Sequence, residues 1–540
     1  MNVKKQPLVR VLNDISQQGQ FHFSYSSDAV RNDSLVTLSA QHKTVKQVLD
    51  MLFANSRQYR EVSDHIIIQA PDLSRTYTIS GYVNDRETGM RITNATVYEK
   101  QQFISTLTND QGFFRIKLKS TDRYAAAITV SKDLYRDTTL TVHAGYDQEM
   151  DVTIKPAPPV MLAPVNIGVE KTWLGHFLLS SRQRMQSLNL SRFFADKPFQ
   201  SSIVPGLGSH GRLDGQVINK VSFNLLGGYA AGLNGVEVGG IFNINKKDVV
   251  GVETAGVFNM VGGNVTGVQL AGVYNSVLDA ISGGVQAGGV LNVVKGRTRG
   301  VQLAGVYNRT RDTLQGMQAA GAINSTKKIM EGVQLAGALN LSRGKVQGFQ
   351  AAGMGNVGRD SVQGMQIAGL FNYAKTLKGM QIGIVNIADT SSGYSLGLIN
   401  IIKKGGLHQL AISANETTLL NVSVKTGTKK LYGILTAGMN PVPDKKTVVF
   451  GYGLGNAISF SNKLLLTTEL TSLNVYLGDW EHLPLMVRLQ PALNYRLGKI
   501  CTLFAGPAVS IFAEQDTQAK TGYRSKLTNN IGWNAGISIF

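Results

Sequence analysis

Eight histidines, one cysteine and a few glycine-rich or acidic runs are where this sequence would carry chemistry. His22, His42, His65, His143, His176, His210, His408 and His482 are scattered along the chain, and none falls at metal-ligand spacing. Gly206-Leu207-Gly208-Ser209-His210-Gly211 sets a serine beside a histidine but does not match a nucleophile elbow. Gly451-Tyr452-Gly453-Leu454-Gly455 precedes no Gly-Lys-Ser/Thr and no helix, so it reads as strand glycines and not a phosphate loop. Asn109 and Asp110 would begin a calcium loop only with further oxygen ligands close by. With Gly112 they suit a tight turn better, since Asn and Asp tolerate left-handed geometry and Gly supplies positive φ. Cys501 lies in an apolar strand and reads as an inert buried thiol. The sequence therefore offers no catalytic, cofactor-binding or metal-ligating constellation, and the expectation is a non-enzymatic protein without a cofactor.

The elements around these residues must then carry the function. The chain has 540 residues, with 54 Lys and Arg against 35 Asp and Glu, a net charge of +19. Only 16% of residues are charged, below the roughly 25% of soluble domains. Glycine occupies 59 positions without a collagen period, and one cysteine excludes a disulfide scaffold. No apolar run is long enough for a membrane helix. Met1 leads into Asn2-Val3-Lys4-Lys5 without the apolar core of a signal peptide, so the chain reads as cytosolic or as a mature form with an added Met. The basic residues are dispersed over turns without interleaved aromatics, which argues against nucleic-acid binding.

Residues 1–72 read as a small α+β unit. Leu8, Val11, Leu12 and Ile15 recur at helical spacing up to Gly19, Phe21 to Tyr25 alternates as a strand, and Thr44-Val45-Lys46-Gln47 is a capping box. Arg57 to Gln69 reads as a hairpin. The runs PLVRVLNDISQQGQFHFSYSSDAV and KTVKQVLDMLFANS resemble the secretin/TonB short N-terminal domain, a periplasmic module that implies protein contacts and no catalysis. Residues 73–156 carry short alternating strands with turn signals, the pattern of a β-sandwich. Their G-x-V, T-G, N-A-T-V and T-N-D-Q-G-F-F series resembles the carboxypeptidase regulatory-like domain, which does not itself imply peptidase chemistry. Pro156, Pro158, Pro159 and Pro164 mark a stiff linker, and residues 157–220 read as that linker and a lead-in with one short helix near Phe177 to Phe194.

Residues 221–402 hold the most informative feature, an internal repeat of the form G-V-Q-x-A-G-x-x-N. Its last residue recurs at Asn243, Asn259, Asn275, Asn292, Asn308, Asn324, Asn340, Asn356, Asn372, Asn386 and Asn400. The spacing is sixteen with one seventeen, then fourteen twice. Within one copy Val301, Leu303, Gly305 and Tyr307 alternate with Gln302, Ala304, Val306 and Asn308, which is strand behaviour with one apolar and one small polar face. Charges sit almost wholly between motifs, and inside them only Glu237 and Glu253 appear, both at the Gln position.

Two architectures fit this pattern. In an antiparallel membrane barrel the polar face lines the interior: Gln269, Gln286, Gln302, Gln318, Gln334, Gln350 and Gln366, with Asn275, Asn308, Asn340 and Asn372. Phe242, Phe258, Tyr274, Tyr307 and Phe371 then divide into two aromatic girdles. In a β-solenoid each unit is one coil, the amides stack in ladders and the aromatics form a single column. The near-constant period favours the solenoid. The longer amphipathic strands of residues 403–540, ending in Trp533 to Phe540, resemble outer-membrane barrels and favour the barrel, although Ile537 and Ile539 fall on the face opposite Phe540. The fold class expected is therefore mainly β: a small α+β domain, a β-sandwich and a large antiparallel barrel of roughly 16–20 strands, with the solenoid as alternative. Together the modules resemble Bacteroidetes-type cell-envelope proteins. That resemblance implies an outer-membrane protein with periplasmic N-terminal domains, contacts with membrane lipid and with a periplasmic protein through residues 1–72, and a role as weakly selective pore or anchor. A partner-binding solenoid or a TonB-linked receptor are the alternatives, though no plug domain is visible, which argues against energised uptake.

Overall fold

The computed structural model describes residues 1–27, 29–30, 34–54, 57–69, 76–120, 126–143, 145, 147–158, 168–441, 447–477, 480, 483–498, 500–515 and 525–539. His482, Pro159, Pro164 and Phe540, used above, lie outside them. The chain divides into two compact units, Met1–Asn234 and Gly235–Phe540.

The first unit opens with a strand, Asn2–Pro7, that the sequence did not reveal. Pro7 ends the strand and the helix Leu8–Gly19 follows, burying Leu8, Val11, Leu12 and Ile15. The second helix, Val45–Leu52, starts at Thr44 with the reciprocal Thr44–Gln47 capping box. Strands Thr76–Asp85, Thr96–Glu99, Phe113–Lys119 and Ala126–Ser131 belong to two sheets that enclose Ile79, Val83, Val97, Phe114, Ile116 and Ile128. Gly112 has φ +74, and the Asn109 side chain accepts from the Gln111 and Phe113 amides at 3.0 and 2.9 Å, making the tight turn. After residue 168 the lead-in holds two short helices, Trp173–Leu178 and Ser181–Asn189, because Ser180 caps the second. The second packs on the sandwich through Gln186 to Ser105 and Asn189 to Thr96, so this lead-in is docked structure and not free linker.

In the second unit the repeats form a parallel β-solenoid. A coil contains a longer strand such as Thr298–Ala304 and a shorter one such as Tyr307–Thr310. Each pairs in parallel with the same strand one repeat later, Gln302 opposite Gln318 and Asn308 opposite Asn324. The large antiparallel barrel expected of the repeats is therefore corrected to the solenoid alternative: a near-constant unit length lets Gln meet Gln and Asn meet Asn in the next coil. The single seventeen-residue unit is absorbed by a register shift between Ile281 and Val285, which restores Gln286 opposite Gln302.

A closed barrel does exist, built from the C-terminal residues alone. Its eight strands are Leu407–Asn415, Leu420–Thr428, Leu431–Met439, Val448–Ser459, Leu464–Tyr476, Leu485–Arg496, Cys501–Gln515 and Ser525–Ile539. The first pairs antiparallel with the last, Leu410 opposite Ile539, and closes the ring. The last solenoid coil meets this barrel where Tyr452 donates to the Gly397 carbonyl at 3.0 Å and the Asn400 amide donates to Thr426 at 3.0 Å.

Candidate functional site

All seven glutamines singled out from sequence are fully buried, as are Asn275, Asn308, Asn340 and Asn372. They line the solenoid interior and not a barrel lumen, which corrects their expected place. From Gln286 onward each Gln Nε2 donates to the Gln Oε1 of the preceding coil, as in Gln302 to Gln286 at 2.8 Å and Gln318 to Gln302 at 2.7 Å. The Asn ladder runs the other way: Asn308 Nδ2 donates to Asn324 Oδ1 of the following coil at 3.0 Å and to the Ala319 carbonyl at 2.7 Å. Two amide ladders of opposed direction thus satisfy most of a buried polar interior, with Gln381 Oε1 left unpartnered where the Gln ladder ends. A third column, Leu314, Met330, Val346, Val362 and Leu377, supplies the apolar part of that interior. Val301, Leu303 and Tyr307, the apolar face of the alternation, point outward and are partly exposed.

The Gln ladder needs an acceptor where it begins, and Glu253 provides it by accepting from Gln269 at 2.8 Å. Asn245 bridges the start, donating to Glu237 at 2.6 Å and to Glu253 at 2.9 Å. Burial, and then the charge of Glu237, push the Glu253 carboxyl up to about 8.

The aromatics expected as two girdles fall in one column. Phe242 pairs with Phe258 and stacks on it at 5.3 Å, and Phe258 pairs with Tyr274. Tyr307 and Phe371 occupy the same column in later coils, Tyr307 opposite Leu291 and Phe371 opposite Val385. Parallel coils repeat a position on the same side, so no alternation between rims can arise.

The barrel carries a polar group that sequence reading did not single out. Arg488, 1% exposed, makes a bidentate pair with Glu416 and donates to Ser510 and to the Trp533 carbonyl. Lys425 pairs with Glu469, which also accepts from Tyr432 at 2.8 Å and Gln490 at 3.0 Å. Apolar clusters lie towards the ends of the strands: Leu407, Tyr432, Ile434 and Ala457 in one, Val449, Leu473, Val475 and Met486 in the other. The cavity around the charged residues is about 20 Å³, room for about one water. Outward, the same strands present Leu410, Ile412, Val422, Val424, Val487 and Leu489 to the exterior. No outward strand position with a described side chain carries Asp, Glu, Lys or Arg. The signal was present in the alternation, because Lys425, Glu469 and Arg488 fall in the phase opposite to the exposed aliphatics. Cys501 is half-buried at a strand start and not fully buried as expected.

Ser209, His210 and Asp214 come together in the first unit. Ser209 Oγ lies 3.4 Å from His210 Nδ1, and Asp214 Oδ1 lies 4.0 Å from the same nitrogen. A proton relay needs its two partners on different ring nitrogens, so this is not a nucleophile triad. Burial raises the Asp214 carboxyl to about 7. Among the described residues no group of three His, Cys, Asp or Glu could hold a metal ion.

No known protein family and no curated protein matches this chain. Among solved structures it is similar to GBS52, the minor pilin of Streptococcus agalactiae, at 12% identity over 24% of this chain. The match spans 62% of that pilin with a TM-score of 0.13, too low to place the two folds together.

Proposed function

We propose that residues 407–539 are a membrane anchor, closed to solutes, that tethers the solenoid and the N-terminal domains at an outer membrane. One observation carries this reading: the barrel is inverted relative to a water-soluble one, with charges and amides inside and uncharged, largely aliphatic strand faces outside. Water-soluble barrels bury the aliphatic face, whereas a barrel in lipid must expose it and satisfy every backbone group by closure. A nine-residue strand such as Leu407–Asn415, tilted as membrane strands are, crosses roughly the 25 Å apolar band of such barrels.

The loops support the same orientation. Connections at one end span 429–430, 460–463 and 497–500, whereas those at the other span 416–419, 440–447, 477–484 and 516–524. Membrane barrels carry short turns on the periplasmic side and longer loops outside. Leu407 starts the barrel at the short-turn end, opposite Gly427, so the preceding coils are delivered to the periplasmic side. A protein partner for residues 1–72, which the resemblance to a periplasmic contact module implies, belongs in this reading to the same compartment. The Arg488–Glu416 and Lys425–Glu469 pairs fill the lumen, so the anchor reading is preferred to a pore.

Expression behind an outer-membrane signal peptide tests this. The anchor predicts detergent-dependent membrane protein with heat-modifiable gel mobility and no steady current in a planar bilayer. Protein that stays in the aqueous fraction with full β content overturns the membrane reading, and a steady conductance overturns the closed lumen.

A further inference from the structure

Parallel stacking does something to the turn charges that the sequence, read as a meander, conceals. The third residue after the repeat Asn is Lys295, Arg311, Lys327, Arg343, Arg359 and Lys375 in six consecutive coils. Successive backbone bonds, Arg311 N to the Val294 carbonyl, Lys327 N to Thr310 and Arg343 N to Thr326, hold these positions one above another. Neighbouring coils are about 4.8 Å apart, so the column is about 24 Å long. Arg297, Lys328 and Lys345 flank it on the same edge. An antiparallel barrel would have divided these turns between two rims; the solenoid gathers them on one.

The column is not neutralised. Asp312 pairs with the flanking Lys328 at 2.7 Å, and Asp389, which interrupts the column after Lys375, pairs with Lys403 at 2.8 Å. Asp360 is the other carboxylate on this edge between Lys295 and Lys375. None of the six column cations makes an ion pair among the described residues, and all but half-buried Lys295 are exposed. Like charges directly opposite on adjacent strands destabilise a sheet, and the pairs Asp312–Lys328 and Asp389–Lys403 show that the same turns accommodate alternating charge. Burial, and then the charge of Arg311, lower the Lys295 ammonium below the usual lysine range.

We propose that this edge binds an extended anionic polysaccharide, with about one acidic group engaged per coil. A hexuronate chain carries one carboxylate per ring on a backbone with two rotatable bonds at each linkage, so its acidic groups can be turned towards a straight row of cations. Duplex DNA spaces its phosphates about 3.4 Å apart along each strand and winds them away from a straight row. Single-stranded nucleic acid would need stacking platforms, and the residues two positions before the column are Val293, Arg309, Ser325, Leu341, Val357 and Tyr373. Only the last offers a ring, and its hydroxyl donates to Asp389 at 3.2 Å.

The test uses the full chain in zwitterionic detergent and oligogalacturonates of graded length, with binding followed by calorimetry at several salt concentrations. Affinity is expected to rise with length and level off near six rings. The triple variant Arg311→Gln, Lys327→Gln, Arg343→Gln is expected to lose at least tenfold in affinity. Its salt slope should fall by about 0.7 for each cation removed. Arg311→Lys with Arg343→Lys should retain binding, as should the charge-matched control Arg115→Gln, Lys117→Gln, Lys119→Gln on the sandwich. Unchanged thermal unfolding of the ridge variant separates lost binding from lost fold. Absence of oligogalacturonate binding, equal loss in the control, or tighter binding of single-stranded DNA or of anionic phospholipid vesicles overturns the proposal.

Discussion

Glu253 shows how one atom can set the terms for a whole interior. Every Gln in its ladder both donates and accepts, so the first rung must only accept, and a carboxylate does that while carrying a charge the interior disfavours. Its folded-state pKa is raised, from 4.5 to about 8. Between those values the folded chain holds a proton that the unfolded chain has lost, so stability falls as pH rises from about 4.5 to about 8 and stays low above. Glu253→Gln continues the ladder, donating to Glu237 as later rungs donate to theirs. It should flatten that slope and add on the order of 1–3 kcal/mol at pH 8, with little change at pH 4, in urea unfolding. Asn308→Ala is the converse case. It strips Asn324 Oδ1 and the Ala319 carbonyl of a donor and Asn292 Nδ2 of an acceptor, and should cost about 2–4 kcal/mol by the same measurement. At this scale the sequence identified the right residues as interior, because period two puts Gln302 and Asn308 on one face. It did not say interior to what, since that alternation is common to both architectures weighed.

An element is decided by its neighbours, and here the glycines decide them. Gly300 and Gly316 have φ +135 and +136, and a Cβ on Gly316 would lie 2.1 Å from the Gly300 carbonyl oxygen. The coils approach closely at this corner only because both are glycine. Gly316→Ala should therefore destabilise the solenoid by at least about 2 kcal/mol, combining strained φ with a backbone clash. Gly283→Ala meets nothing within 4 Å and should cost much less, a contrast that thermal unfolding of the two variants checks. The repeated Gly was visible in the sequence, but its reason was not: hairpin bulges and coil corners both call for glycine. The long C-terminal strands were easier to read as strands, though not to count, since apolar residues alternate over a span such as Leu464–Tyr476. The capping box at Thr44 was legible too, because both of its hydrogen bonds form within four consecutive residues.

At the scale of the molecule the sequence left one question open: which residues form the outward apolar face of a barrel. It assigned that face to the repeats together with the C-terminal strands because the repeat charges lie between motifs, yet stacking sends those charges to one edge of a solenoid. The barrel holds the inverted pattern instead, and its two faces respond oppositely to the same substitution. Leu489 is outward and 44% exposed, near the middle of its strand. In lipid, Leu489→Arg should cost about 2–4 kcal/mol and reduce the heat-modifiable fraction after refolding into vesicles. A barrel standing in water would accept that surface arginine almost without cost. Arg488→Met, one residue earlier and inward, removes the partner of Glu416 and should cost about 3–5 kcal/mol in either setting. The pair therefore separates membrane placement from folding. Loss in both variants during refolding into vesicles, with loss only in Arg488→Met during refolding into detergent without a bilayer, is the expected result. An equal tolerance of Leu489→Arg in vesicles and in water would remove the barrel from the membrane and leave it a soluble cap on the end of the solenoid.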